Sequence, residues 1–470
     1  MLLTAIIIYI LITVAIGAWS SKLVKNSSDF VLAGRQLPLF LSASALFATW
    51  FGSETIFGAS SEYLEHGLQG VMEDPFGGAL CLVLFGVFYL RPMYKMNVLT
   101  IGDVYRRIFG KRVEFFASVF MIPPYFGYVA AQLVALSLIF TTVADISIAQ
   151  GIVISAGIVV FYTFLGGMWA ISITDFIQTT LIVVGLIWVA VLVSEKAGGV
   201  MPILESAPEG SFQFFPDADP ISWMNYLGAW MIIGLGSIPS QDIYQRVMSA
   251  KSERVAIRSA YLAGGFYVTI GLLPLFIALG AKFLYPEIYL ENKQLLLPEM
   301  VLKHGGMHVQ ILFFGALISA IMSTTSSGLL APSAIISENL IRPYFGNKLK
   351  EKHFLWILRI NIITVAVVAV VLAQWKTNIY ELVAGASILM LVSLFVPLTA
   401  GLYWKKASEM GALMSIVFGM IAFLGFSSLD LPYYPHLPAT LVSAVSMVVG
   451  SLIFPINKKT NATLSDNKTS

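Results

Sequence analysis

Residues 45–58 read Ala45-Leu46-Phe47-Ala48-Thr49-Trp50-Phe51-Gly52-Ser53-Glu54-Thr55-Ile56-Phe57-Gly58, an apolar run broken in its middle by glycine, hydroxyl and carboxylate groups. A second break lies within Trp230-Met231-Ile232-Ile233-Gly234-Leu235-Gly236-Ser237-Ile238-Pro239-Ser240-Gln241-Asp242. Hydrocarbon offers no water to replace a lost backbone hydrogen bond. The freed groups of a broken membrane helix must therefore be met by protein or line a wet cavity. Two interrupted helices at corresponding places in two halves of a chain point to a secondary transporter with its site near the bilayer midplane.

Composition agrees with a membrane chain. Of 470 residues, 57% are hydrophobic and 11% charged, less than half the charge usual in soluble domains. Apolar stretches of spanning length fall at roughly 2–20, 39–58, 72–94, 114–141, 146–165, 172–195, 222–246, 259–281, 308–330, 354–374, 379–402, 410–427 and 437–454. The first has no basic n-region and no small-residue cleavage site, so it reads as a span and not as a removable signal. With it set aside, spans two to six and seven to eleven form two sets of five, each opening with a broken helix. The expected fold is an all-α membrane protein of about 13 transmembrane helices. A 5+5 inverted repeat at about 39–195 and 222–402 follows one extra N-terminal helix. Helices at 410–427 and 437–454 complete a single domain over 1–456, and residues 457–470 form a polar cytoplasmic tail.

The basic residues are distributed unevenly. Loops near 21–37, 91–112, 246–258, 342–359, 405–406 and 458–468 hold 23 of the 28 Lys and Arg. Lys196, Lys282, Lys293, Lys303 and Lys376 fall on the other side. That bias marks the first group as cytoplasmic, with the N-terminus outside and the C-terminus inside the cell membrane. Cys81 is the only cysteine, so no intrachain disulfide or thiolate metal cluster can form. There is no phosphate-binding G-x-x-x-x-G-K-[ST] loop. No nucleophile–base pair suggests an enzyme, and nothing suggests a nucleic-acid or obligate protein partner.

Polar residues inside the spans carry the functional reading. Ala320-Ile321-Met322-Ser323-Thr324-Thr325-Ser326-Ser327 places five consecutive hydroxyls in one span, with 320, 323, 324 and 327 on one face. Hydroxyls in membrane helices often bond back to the i−4 carbonyl. Five in a row exceed that need, and hydroxyls with the freed carbonyls of a broken helix suit a hard monovalent cation such as sodium. Asp175 sits near the end of an otherwise almost uncharged span; buried acids of this kind mark ion pathways, or else cap a helix end. A proton-coupled carrier using Asp175 is a variant of the same reading. Glu54, just past the first break, is either an acid of the substrate site or an interfacial carboxylate. Trp50, Ser53 and Thr55 flank it, and Gln132 is the polar candidate on the face it shares with Tyr125 and Tyr128. Gln241 belongs to the second break. Asp242 and Arg246, one turn apart, read as an ion pair. Glu73 and Asp74 read as residues of the outer mouth.

At these residues the chain resembles the sodium:solute symporter family, whose members include proline, sugar, sialic acid, pantothenate and choline carriers. The likeness runs through Asp29-Phe30-Val31-Leu32-Ala33-Gly34-Arg35, Gly166-Gly167 to Thr174-Asp175 and Gln178, Gln245-Arg246 with Ser249-Ala250-Lys251, the hydroxyl cluster, and Pro397 to Lys406. It implies a LeuT-like fold and sodium-coupled import of a small organic solute by alternating access. It further implies one sodium site from the carbonyls of Ala48, Phe51 and Ala320 with the hydroxyls of Ser323 and Thr324. A possible second site would use Asp175, Ser323, Ser326 and Ser327, so one or two transported sodium ions are expected. Gly236 to Gln241 and Trp50 look like choline carriers. Ser240 stands where such carriers would have an aromatic, and Glu54 looks like sugar-type members, so the solute stays open. The alternative class is a transporter-like solute sensor, which the short tail argues against.

Overall fold

The structure, a computed structural model, describes residues 1–144, 146–291, 293–345, 350–375 and 378–455. The tail expected at 457–470 lies outside these residues. Among the described residues the secondary structure is helical, apart from an isolated bridge between Leu37 and Ala250. The main helices are α1 (Leu2–Ser20), α2 (Leu39–Trp50), α3 (Lys111–Ala144), α4 (Ile148–Lys196), α5 (Pro220–Gly236), α6 (Gln241–Ser249), α7 (Glu253–Leu284), α8 (Met307–Ile335), α9 (Glu351–Ala373), α10 (Ile379–Met390), α11 (Glu409–Ser427) and α12 (His436–Ile453). Their starts follow local sequence. Ser147, Asp219, Ser252, Asn378 and Ser408 each accept a first-turn N–H through the side chain, which satisfies one of the orphan donors of a helix start.

Among the described residues ten helical stretches are long and apolar enough to cross a membrane, or eleven when α5 and α6, bent by 51° across their break, count as one. The expectation was thirteen. The difference has three sources: α2 is a short apolar helix ending at the first break, α4 runs for 49 residues where two spans were expected, and α5 and α6 count as a span only when taken together. A 49-residue helix would be about 73 Å long, more than twice the hydrocarbon thickness of a bilayer. It does not continue straight, because Gly167 leaves helical geometry at φ 51°, ψ −140°. Gly167 lies in the connection expected between the spans at 146–165 and 172–195.

Helix α8 runs through the middle of the molecule. From residue 316 to 335 every residue is buried, the pattern of a helix with protein on all sides. It packs against α3 and α4, and α2 lies against α4, α7 and α8. Helix α1 is peripheral. It rests on α4 and leaves Ile7, Ile8, Leu11 and Ile12 exposed, as a lipid-facing helix requires. Helices α11 and α12 form a close pair with each other.

A Cβ at Gly167 would lie 2.6 Å from Phe30 O and 2.7 Å from the Phe30 ring. The positive φ adds backbone strain of about 1–3 kcal/mol for any other residue. Gly167→Ala is expected to lower the melting temperature of the detergent-solubilised protein or abolish its folded yield. Gly157→Ala, where a Cβ meets nothing within 4 Å, should not; equal stability of the two variants would remove Gly167 as a required turn.

Candidate functional site

The first break frees three successive carbonyls, and the structure supplies a partner for each. Phe51 N–H still reaches Phe47 O at 3.2 Å, but Gly52 N–H turns to Trp50 O at 2.8 Å. Ala48 O thus loses its helical donor. Ser323 Oγ and Thr324 Oγ1 of α8 approach it at 2.9 and 3.3 Å. Ser53 N–H goes to Gln132 Oε1 at 3.1 Å, and Thr49 O accepts from the Tyr128 hydroxyl at 2.9 Å. Trp50 O accepts from the Tyr267 hydroxyl at 2.8 Å. The three carbonyls are met from three different helices, α8, α3 and α7, so the break is built jointly by the helices around it.

The hydroxyl run divides by role. Thr325, Ser326 and Ser327 bond back to carbonyls of their own helix, as hydroxyls in apolar helices do. Ser323 does not. Its Oγ lies 2.9 Å from Ala48 O and 2.5 Å from Asp175 Oδ1, and a hydroxyl has one proton for two such acceptors. Thr324 Oγ1 faces Ala320 O at 3.0 Å as well as Ala48 O. Four of the five residues expected around a sodium ion are therefore together: Ala48, Ala320, Ser323 and Thr324. Phe51, the fifth, sits at the break itself with non-helical φ −75°, ψ 73°. All five are buried.

Asp175 is fully buried and is not a solvated helix-end acid. Its partner is Arg246. The guanidinium lies 4.0 Å from Asp175 Oδ2, donates to Ser327 Oγ, and is itself fully buried. The position expected to hold a second ion between Asp175, Ser326 and Ser327 thus faces a resident cation. The expected Asp242–Arg246 pair is not formed. Asp242 instead accepts from Trp50 Nε1 at 2.7 Å through one oxygen and from Tyr125 Oη at 2.7 Å through the other. Tyr125 Oη also accepts the N–H groups of Gln241 and Asp242 at 2.8 and 3.1 Å, capping α6, which Ser240 leaves without a side-chain cap. The two broken helices are in this way tied through Trp50, Asp242 and Tyr125.

Beside these ties lie two small adjoining chambers of about 30 and 20 Å³, sharing Trp50, Tyr128, Ser237 and Ser387 in their walls. Glu54, Asp74 and Tyr267 line one, and Asp242 and Tyr125 the other. Of the expected substrate residues, Trp50 and Glu54 face this space. Gln132 does not line it; its Nε2 holds Glu54 Oε2 at 2.7 Å. Ser53 stands 3.5 Å from the same oxygen, and Thr55 is turned to Tyr267 at 3.0 Å. Gln241 is a correction: its Oε1 accepts from the N–H of Ile101 at 2.8 Å, away from the chambers. Asp74 is another, since it is buried in the chamber wall and not placed at an outer mouth. Tyr125 and Tyr128, which share the face of Gln132 at i, i+3 spacing on α3, line the chambers where Gln132 does not. Tyr267 carried no local signal.

Comparison with known proteins bears on the site. The family model described as the sodium:solute symporter family matches residues 30–419. High-affinity choline transporter 1 of Drosophila melanogaster is 27% identical over 421 residues, covering 86% of this chain and 67% of that protein. The high-affinity proline transporter PutP of Bacillus subtilis (strain 168) is 26% identical over 459 residues, covering 93% and 95%. A solved Na+-coupled sialic acid symporter in a substrate-bound outward-open state superposes with a TM-score of 0.84 at 18% identity, covering 96% of this chain and 98% of that one. At that identity the likeness is one of fold.

Tyr125→Phe would leave two N–H groups and one carboxylate oxygen at the second break without their partner. Unmatched buried groups cost about 1–3 kcal/mol each. A marked fall in thermal stability, well beyond that of Phe120→Leu on the same helix, is the expected result. An unchanged melting curve would show that the cap is dispensable.

Proposed function

The chain belongs to the sodium:solute symporter family, and we propose that it couples one sodium ion, held at the first break, to import of a small organic solute held in the adjoining chambers. Family membership makes the chain a multi-pass membrane carrier, a sodium-coupled symporter, and favours a carrier over a sensor or an enzyme. The ligands proposed for the ion are the carbonyls of Ala48, Phe51 and Ala320 and the hydroxyls of Ser323 and Thr324. One observation carries this reading. Ser323 and Thr324 converge on Ala48 O, a carbonyl with no helical donor, and Ser323 faces more acceptors than it has protons. A sodium ion among these oxygens takes lone pairs from all of them and needs no proton.

The proposed solute space is walled by Trp50, and Trp50 is two residues from Ala48 in the same broken segment. An ion that fixes residues 48–52 against α8 also fixes the indole that lines the chambers. Ion and solute then raise each other's affinity by the same factor. Alternating access moves this shared site from the outer to the inner side. For the stoichiometry, Arg246 already supplies the positive charge beside Asp175. A second cation there would have to displace a guanidinium that donates to Ser327, which supports one ion over two.

For topology we read thirteen spans, dividing α4 at Gly167 and the helix of residues 54–96 near Asp74, where φ −147°, ψ 127° leaves the helical region. The repeats at 39–195 and 222–402 then each open on a broken helix, and the basic loops place the N-terminus outside.

Ser323→Ala or Thr324→Ala removes one oxygen from a small coordination shell. A lost contact to a charged group is worth about 1.5–3 kcal/mol, so the sodium concentration for half-maximal uptake in proteoliposomes should rise roughly ten-fold or more. Unchanged sodium dependence in both variants, at normal yield, would remove the site. Parallel tracer fluxes should give one sodium per solute and a Hill coefficient of one. Two sodium ions per solute would assign Asp175, Ser326 and Ser327 to a second ion.

A further inference from the structure

The walls of the two chambers hold three carboxylates, Glu54, Asp74 and Asp242, and no Lys, Arg or His. Both oxygens of Asp242 are occupied by Trp50 and Tyr125. The other two acids are not satisfied. Glu54 Oε2 accepts from Gln132, but among the described residues Glu54 Oε1 has no hydrogen-bond partner, and neither has Asp74 Oδ2. These side chains are 2% and 1% exposed. A buried carboxylate oxygen without a donor is costly, and here both belong to residues lining one small chamber, which a solute would have to widen as it enters. Trp50, Tyr128 and Tyr267 complete the wall, and aromatic rings in such a wall attract cations.

Resting on the carrier function proposed above, the geometry points to a solute that is a protonated amine with at least one N–H group, held by Glu54 and Asp74. The requirement for N–H is the specific part. An aromatic cage alone would serve a fully methylated ammonium, which has charge and no donor. Two unmatched carboxylate oxygens ask for donors as well as charge. A zwitterionic or anionic solute would bring a carboxylate of its own into a chamber with no basic side chain to meet it. Glu73 is also buried with an unpartnered oxygen, but it does not line either chamber and is not assigned to the solute.

The test uses wild-type protein in detergent and in sodium-loaded proteoliposomes. The ligands are 2-aminoethanol, its N-methyl and N,N-dimethyl derivatives and choline, with putrescine and its permethylated counterpart as a second pair. Affinity should fall at the last methylation step, by about 100-fold or more, because a site built to meet an N–H rejects the analogue that lacks it. Equal or tighter binding of the fully methylated members overturns the assignment, as does binding by none of the amines when sodium still raises the melting temperature. Glu54→Gln and Asp74→Asn should each weaken amine binding at least ten-fold while retaining the sodium-induced thermal shift, which also shows that the variants fold. Loss of the sodium shift in a folded Glu54→Gln variant would give that carboxylate to the ion and overturn the proposal. If a variant does not fold, the methylation series decides alone. Absence of any sodium effect on wild type would fail the carrier reading itself, a separate outcome.

Discussion

A helix surrounded by lipid cannot abandon its own hydrogen bonds unless other side chains replace them. Here three consecutive carbonyls, those of Ala48, Thr49 and Trp50, are met by Ser323 and Thr324, by Tyr128 and by Tyr267. The break is therefore a property of four helices together. It places carbonyl oxygens, hydroxyls and an indole within a few residues of one another, in a region without bulk water. Those groups are what a cation and an organic solute need at adjacent positions. The fold around them serves to hold α2 against α7 and α8, and α8 is buried along most of its length for the same reason.

Charge is handled differently in two places. Asp175 and Arg246 form a fully buried pair, with Ser327 accepting from the guanidinium. Such a pair gains little over an apolar replacement, but removing one partner leaves an unmatched charge at a cost of about 3–5 kcal/mol. Among the described residues Asp242 has no basic partner and is instead held by two neutral donors, an indole and a phenol. The first arrangement fixes α4, α6 and α8 to one another. The second joins the two broken helices without cancelling the negative charge, which remains beside the chambers.

That second tie has a mechanical meaning. Trp50 belongs to the first break, and Asp242 opens the helix that follows the second. Tyr125 meets the same carboxylate from α3 while capping α6. A rearrangement at either break must change the hydrogen bonding at Asp242, so the halves cannot move with full independence. A carrier requires this kind of linkage, because a ligand shifts an equilibrium only by its differential interactions with the two states.

Much was legible without the fold. The breaks at 51–52 and 237–240 follow from glycine and hydroxyl residues inside apolar runs, and a hydroxyl excess on one helix face marked the stretch whose Ser323 and Thr324 meet Ala48 O. The turn at Gly167 fell in a stretch marked by Gly166-Gly167. What sequence could not reach was the pairing of buried polar groups. Arg246 is one turn from Asp242 and was assigned to it by spacing, yet it points to Asp175 and Ser327 on α4 and α8. Gln241 adjoins the second break but bonds Ile101, while Tyr267, far along the chain, caps the first. Helical periodicity fixes which residues share a face, because it depends on neighbours three and four apart. Which donor meets which acceptor depends on where separate helices cross, and among side chains with several possible partners only the tertiary packing makes that choice.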